Sequence, residues 1–233
     1  MFERASDRID VPSVRRAGWL AMWAVIGFIG LTIVVETRSL AARDLAITIN
    51  IQVLAGTGWD AIGGLAALLF SSEGSFILAG AIALALWRRG AGWWVLVPFG
   101  FVLLYPVELG MKLCIDQPTV PAPLQREISY PLFQLTLRGS FPSGHALRTG
   151  YLCTLVGVLV APYLGRLASP AVVFVGVLIG VMGFTRIYLG YHWTSDVIAG
   201  LLLGWALALP LAIAAGSAVY DSSVVRRDDA EVC

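Results

Sequence analysis

The chain has 233 residues, 58% hydrophobic and 13% charged, where a soluble domain carries about 25% charged residues. With a mean hydropathy of +0.80, this excludes a disordered chain, a collagen-like fibre and an ordinary soluble enzyme. It points to a protein whose main solvent is lipid. Sixteen basic against fifteen acidic residues give a net charge of +1, so no basic surplus argues for nucleic acid as a partner.

Taken in chain order, the apolar runs predict an all-α polytopic membrane protein with six transmembrane helices and an additional interfacial or re-entrant segment. A crossing helix needs about 20 apolar residues. The runs are Gly18 to Val35, Ser75 to Trp87, Trp93 to Met111, Ala146 to Tyr163, Ala171 to Phe184 and Val197 to Ala215. The first run exceeds the ~7–15 residues of a signal-peptide core, so it reads as an uncleaved helix. Pro98 and Pro106 fall inside the third, which bilayer helices tolerate when neighbours re-satisfy the backbone. Within residues 37–72, Leu40, Asp44, Ile47, Ile51 and Leu54 predict an amphipathic helix along the interface. Trp59 to Phe70 is apolar but too short to span. It reads as a re-entrant piece, with the alternative that it joins the second span as one long tilted helix.

One membrane-embedded domain, 1–233, is therefore expected, with tails at 1–16 and 218–233. An even number of spans puts both tails on one side. Arg4, Arg8, Arg15, Arg16, Arg88, Arg89, Arg166, Arg226 and Arg227 share that side, against Arg38, Arg43, Lys112, Arg126, Arg138, Arg148 and Arg186 on the other. The positive-inside rule then makes both termini cytoplasmic, with the multi-pass chain in the plasma (inner) membrane. The proline-bearing loop 114–141 falls on the outer, periplasmic side and reads as irregular. Cys114, Cys153 and Cys233 form neither a CxxC pair nor an even framework, so no disulfide or metal role falls to them.

Three clusters fall on the outer face. Lys112, the sole lysine, ends the third span. Phe141-Pro142-Ser143-Gly144-His145 opens the fourth. Arg186, His192 and Asp196 join the fifth to the sixth. A helix N-terminus offers free N–H groups and a positive dipole end to an anion. Gly144 lets backbone approach a phosphoryl oxygen, and Ser143 adds a hydroxyl. Arg186 brings a planar fork and Lys112 a point charge. His192 and Asp196 are one helical turn apart, so the carboxylate can fix the imidazole tautomer and raise its basicity. Taken singly, each residue has a plainer use: Lys112 as a snorkelling anchor, Ser143 as a helix cap, Asp196 or Ser195 as the cap of the sixth span. Their meeting in one layer outweighs those uses, because ionisable groups near hydrocarbon are costly. Two histidines and an aspartate could also ligate zinc, but the adjacent Lys112 and Arg186 repel a cation, so no metal and no cofactor is assigned.

Phe141 to His145, followed by Thr185-Arg186-x5-His192-x3-Asp196, resembles the type 2 phosphatidic acid phosphatase superfamily of integral-membrane lipid phosphate phosphatases. The second and third motifs of that family are complete. The first, Lys-x6-Arg-Pro, keeps Lys112 but has Thr119 and Val120 in the Arg-Pro positions, with Gln117-Pro118 just before them. Arg148, three residues after His145 and on its helix face, is the candidate replacement; Arg126 and Arg138 are weaker ones. The resemblance implies metal-independent phosphoryl transfer. His192 is the nucleophile, Asp196 its orienting partner and His145 the acid and base. Lys112, Ser143, Gly144, Arg186 and Arg148 hold the phosphate. The expected partners are membrane lipids and a lipid phosphate. Polyprenyl pyrophosphate is favoured, followed by phosphatidic acid and phosphatidylglycerol phosphate. A lipid headgroup or phosphate transferase, and a non-catalytic anionic-lipid binder or transporter, stay open.

Overall fold

The computed structural model describes residues 11–54, 56–126, 139–160, 166 and 168–231. Helix α1 runs Val11–Glu36, α2 Ala41–Gln52, α3 Thr57–Leu69 and α4 Ser72–Arg88. A 3-10 segment, Gly92–Leu104, runs straight into α5, Tyr105–Cys114. Helices α6 (Gly144–Val160), α7 (Ala168–Tyr188) and α8 (Thr194–Glu231) complete the bundle.

Helix α6 forms the centre. Leu147, Tyr151, Leu152 and Leu155 are all buried on it, packed with Phe101 of the 3-10 segment and with Ala208 and Ala212 of α8. Close approach of α6 to α8 needs small residues at the crossing. A Cβ at Gly204 would strike the Leu147 carbonyl and the Tyr151 amide, and one at Gly200 would strike the Ser143 carbonyl. The rim is inverted relative to a water-soluble protein. Trp19, Leu20, Trp23 and Ile33 of α1 are each more than half exposed, which suits lipid rather than water.

Among the described residues, four helices are long and apolar enough to cross a bilayer: Arg15–Glu36, Gly92–Cys114, Ser169–Tyr188 and Thr194–Gly216. Helices α3 and α4 meet at a 62° bend and make a fifth if they act together. The protein is thus an all-α polytopic membrane protein with four or five such spans, where the apolar runs predict six. Two local facts account for the difference. Helix α6 is described over 17 residues, Gly144–Val160, and α4 reaches spanning length only with α3. The bend separates two helical pieces, so the region is not one straight helix. The third predicted span is helical throughout but begins as a 3-10 segment with Pro98 inside it, and Pro106 opens α5. A proline inside the α form lacks its N–H and crowds the preceding turn.

Helix α2 departs from its expected pattern. Its buried residues are Asp44 and Thr48, while Leu45, Ile47 and Ile49 are exposed. The polar face points inward because Asp44 has a partner there, described below. The loop 114–141 is irregular where it is described, apart from a 3-10 turn, Ala122–Leu124, and a single bridge between Pro118 and Gly139.

Replacing Gly204 with leucine is expected to force α6 and α8 apart. Overpacking costs about 1–3 kcal/mol, so thermal unfolding of the detergent-solubilised protein should fall by several degrees, whereas Gly30→Leu, with open space at its Cβ, should leave it unmoved.

Candidate active site

Two helix N-termini meet at the site. Ser143 caps α6, its carbonyl accepting from Leu147 N at 3.0 Å and its hydroxyl from Ala146 N at 3.4 Å. The Ser143 amide donates to the Asp196 carbonyl of α8 at 3.0 Å. This bond fixes His145, two residues on, beside the turn that carries His192.

The His192–Asp196 pair is formed. Asp196 Oδ2 accepts from Trp193 N at 3.0 Å and lies 3.4 Å from His192 Nδ1. The first contact is the back-bond of a helix N-terminus, so the carboxylate is aimed by the helix before it meets the ring. The Nδ1 side of the ring is thereby engaged, leaving Nε2 as the other nitrogen. Burial is the main cause holding the His192 pKa below its ordinary value. The Asp196 bond opposes that shift, and Lys112 and Arg186 add to it.

The cations gather around this pair. Lys112 Nζ donates to the carbonyls of Ser140 (3.1 Å) and Pro142 (2.9 Å), so it braces the Phe141–His145 segment. Arg186 is buried, with its guanidinium 5.7 Å over the Tyr191 ring. Its carbonyl accepts from the amides of Tyr191 and His192, closing the turn. His145 bonds the backbone of Ala67 and lies in electrostatic range of Arg186, Arg148 and His192. Arg148 sits one turn deeper along α6. Its Nε donates to the Phe70 carbonyl at 3.3 Å, and its Nη1 is 3.7 Å from Glu108. The lysine, both histidines, both guanidiniums and Asp196 thus occupy one neighbourhood. Among the described residues no group of three His, Cys, Asp or Glu side chains is placed to hold a metal ion.

Residues 95–218 match the PAP2 superfamily. The chain belongs to the PAP2 superfamily. A curated relative is phosphatidylglycerophosphatase B of Bacillus subtilis (strain 168), 30% identical over 89 residues, 37% of this chain. The aligned stretch spans 39% of that relative's length. The fold resembles the crystal structure of a transmembrane PAP2-type phosphatidylglycerolphosphate phosphatase from Bacillus subtilis, with a TM-score of 0.71 at 20% identity. That similarity covers 83% of this chain and 94% of the other.

Several residues that complete this PAP2 site escape sequence reasoning. Asp44 is buried on α2, and its two oxygens accept from the Ser195 amide (3.1 Å) and hydroxyl (2.6 Å). Burial pushes its carboxyl above the usual range, against those two hydrogen bonds. Gln117 Nε2 donates to Ser195 Oγ at 3.3 Å, and Pro118 accepts from Trp193 Nε1 at 2.7 Å. The divergent first-motif segment therefore supports the start of α8. Nothing in the local pattern around Asp44 reveals this, because its partner lies 151 positions away.

Arg126, the weaker candidate for the missing first-motif guanidinium, is engaged elsewhere. Its Nε and Nη2 grip Asp60 of α3 at 2.7 and 2.8 Å, and Tyr188 donates to the same carboxylate at 2.8 Å. Its amide donates to Leu189, and its carbonyl accepts from Tyr191. The turn between them holds Gly190 at φ +70°, where a Cβ would also strike the Leu124 carbonyl. This latch clamps the 189–191 turn just before His192. Arg138 lies outside the described residues.

Arg126→Ala is expected to loosen that turn and raise amide hydrogen exchange at Gly190–Trp193 about tenfold, while Arg38→Ala, which breaks the exposed pair with Asp116, leaves it unchanged. The lowered His192 pKa has a signed consequence. An unfolded imidazole takes its proton near pH ~6.5 and the folded one only at lower pH, so the unfolded state binds more protons in between. Stability contributed by this group is present above ~6.5 and is lost as pH falls through the folded pKa. Thermal scans in detergent should show a steeper loss from pH 7 to 5 for the native chain than for His192→Gln.

Proposed function

We propose that the chain hydrolyses a lipid phosphate, metal-independently, through a phosphohistidine formed on His192. The observation that carries this reading is the formed His192–Asp196 contact at 3.4 Å, set beside Lys112, Arg186 and the N-terminus of α6 in a PAP2 chain.

In this reading His192 Nε2 attacks phosphorus and the bond from phosphorus to the lipid oxygen breaks. Protonated His145 gives its proton to the departing oxygen. His145 then takes a proton from water, the resulting hydroxide attacks phosphorus, and the phosphorus–nitrogen bond breaks. Inorganic phosphate leaves and the imidazole is restored. Asp196 holds the Nδ1 proton throughout. Lys112, Arg186, the Ser143 hydroxyl and the backbone at Gly144 stabilise charge on the equatorial oxygens, with Arg148 standing for the first-motif guanidinium.

The expected outward-facing site favours polyprenyl pyrophosphate, a carrier lipid released outside, although no residue separates it from the other lipid phosphates. The names of the curated relative and of the structural neighbour both concern phosphatidylglycerol phosphate, so that lipid becomes the leading substrate and polyprenyl pyrophosphate the second. An almost wholly apolar groove beside α6, lined by Phe70, Leu78, Cys153, Val156, Phe174 and Leu178 among others, supports a substrate with hydrocarbon chains. In the topology proposed, the α3–α4 pair counts as one span and α6 as another, giving six. Both termini then face the cytoplasm and the site opens outward.

Purified protein is expected to release phosphate from phosphatidylglycerol phosphate with excess chelator present, and His192→Ala is expected to lose turnover and acid-labile phosphoenzyme by a factor of ~10³ or more. Turnover by His192→Ala at the native rate would refute the nucleophile, and chelator sensitivity would refute the metal-free route. Labelled lipid product in place of free phosphate would mark a transferase.

A further inference from the structure

A helical ladder running unbroken from α3 into α4 would pair the Ala67 carbonyl with the Ser71 amide and the Phe70 carbonyl with the Gly74 amide. Both amides go elsewhere. The Ser71 backbone turns extended, at ψ 172°, and its amide donates to the Leu68 carbonyl at 3.4 Å. Its hydroxyl takes the Gly74 amide at 2.9 Å. Two carbonyls at the end of α3 are thereby released, and both turn to α6. Phe70 accepts from Arg148 Nε at 3.3 Å, and the Ala67 backbone bonds the His145 imidazole. The Ala67 amide belongs to the ladder inside α3, so the carbonyl is the group that meets the ring.

The exchange suits both sides. Phe70 and Ser71 are buried, where a carbonyl without a donor is costly, and the negative end of a helix favours cationic partners. The next residue adds to it. Ser72 Oγ accepts from the Tyr105 hydroxyl at 3.3 Å, and the Tyr105 ring centre lies 5.7 Å from the Arg148 guanidinium. Gly74 belongs to the same arrangement, since a Cβ there would strike the Leu68 and Leu69 carbonyls and displace the end of α3. For His145 the consequence is chemical. A neutral imidazole that donates to a main-chain carbonyl carries its proton on that nitrogen, and the other nitrogen is left to trade protons with substrate and water.

We propose that Ser71 is a positioning residue of the active site: its hydroxyl caps α4, holds the α3–α4 break open and keeps the Ala67 carbonyl available to His145, which fixes the nitrogen through which His145 exchanges protons. This deepens the phosphatase reading and rests on its assignment of His145 as acid and base.

The test reads the ring directly. The chain has two histidines, so the full chain in detergent, grown with isotope-labelled histidine, gives two imidazole spin systems by NMR, assigned by difference against His192→Gln. At a pH where the ring is neutral, native His145 is expected in one tautomer. Ser71→Ala is expected to mix the tautomers, and Ser71→Thr, which restores the hydroxyl, to return the single form. Ser75→Ala, one turn on, removes a buried hydroxyl that has no hydrogen-bond partner among the described residues; it is expected to keep the single form. Mixed tautomers in the native chain, or a single tautomer retained in folded Ser71→Ala, would overturn the proposal, and the first outcome needs no Ser71 variant to fold. In turnover of phosphatidylglycerol phosphate, kcat is expected to fall about tenfold in Ser71→Ala, as a misaimed proton donor would cause, and to recover in Ser71→Thr. A native kcat beside mixed tautomers would overturn the proposal as well. A native chain that hydrolyses no lipid phosphate would overturn the phosphatase reading alone, because the imidazole measurement needs no substrate.

Discussion

The hydrogen bond from the Ser143 amide to the Asp196 carbonyl ties the first turn of α6 to the first turn of α8, and the rest of the site depends on it. Neither group is a side chain, so the tie is set by how closely two backbones approach. Gly200 and Gly204 make that approach sterically permissible. With the two N-termini joined, His145, two residues after Ser143, comes within electrostatic range of His192, four residues before Asp196. Both positive dipole ends then serve one small volume, and a membrane protein concentrates its few ionisable groups there because the surrounding hydrocarbon accepts none of them cheaply.

Around this junction, polar groups are satisfied mainly by main-chain atoms. Lys112 bonds carbonyls of Ser140 and Pro142, Arg148 the carbonyl of Phe70, Trp193 the carbonyl of Pro118, and Gln52 the carbonyls of Leu124 and Tyr188. Side chains that reach across to backbone fix loops that have no regular ladder of their own. That is how the irregular segment between α5 and α6 holds the 189–193 turn in place.

Much of this was legible in the chain itself. The apolar runs mark α1, α4, α6, α7 and α8, and the spacing of His192 and Asp196 foretells the contact that forms. The number of crossings was less legible, because hydropathy counts residues and cannot see the 62° bend between α3 and α4. Asp44 and Glu108 were illegible for a related reason. Asp44 finds no partner on its own helix, and Glu108 has only Lys112 one turn on; the contacts that place them come from distant elements, Ser195 for Asp44 and Gly144 and Arg148 for Glu108. Gln117 looks like a departure from a motif, yet in three dimensions it supports the same helix start from another side.

The grip of Asp44 on Ser195 reaches beyond local order. Helix α2 turns its apolar residues outward and its one buried carboxylate inward, so it is joined to the first turn of α8, directly after the residues that carry the His192 imidazole. With two bonds and no intervening linker, there is no slack between them. The position of α2 and that of the first turn of α8, two residues past His192, are thereby set together rather than separately.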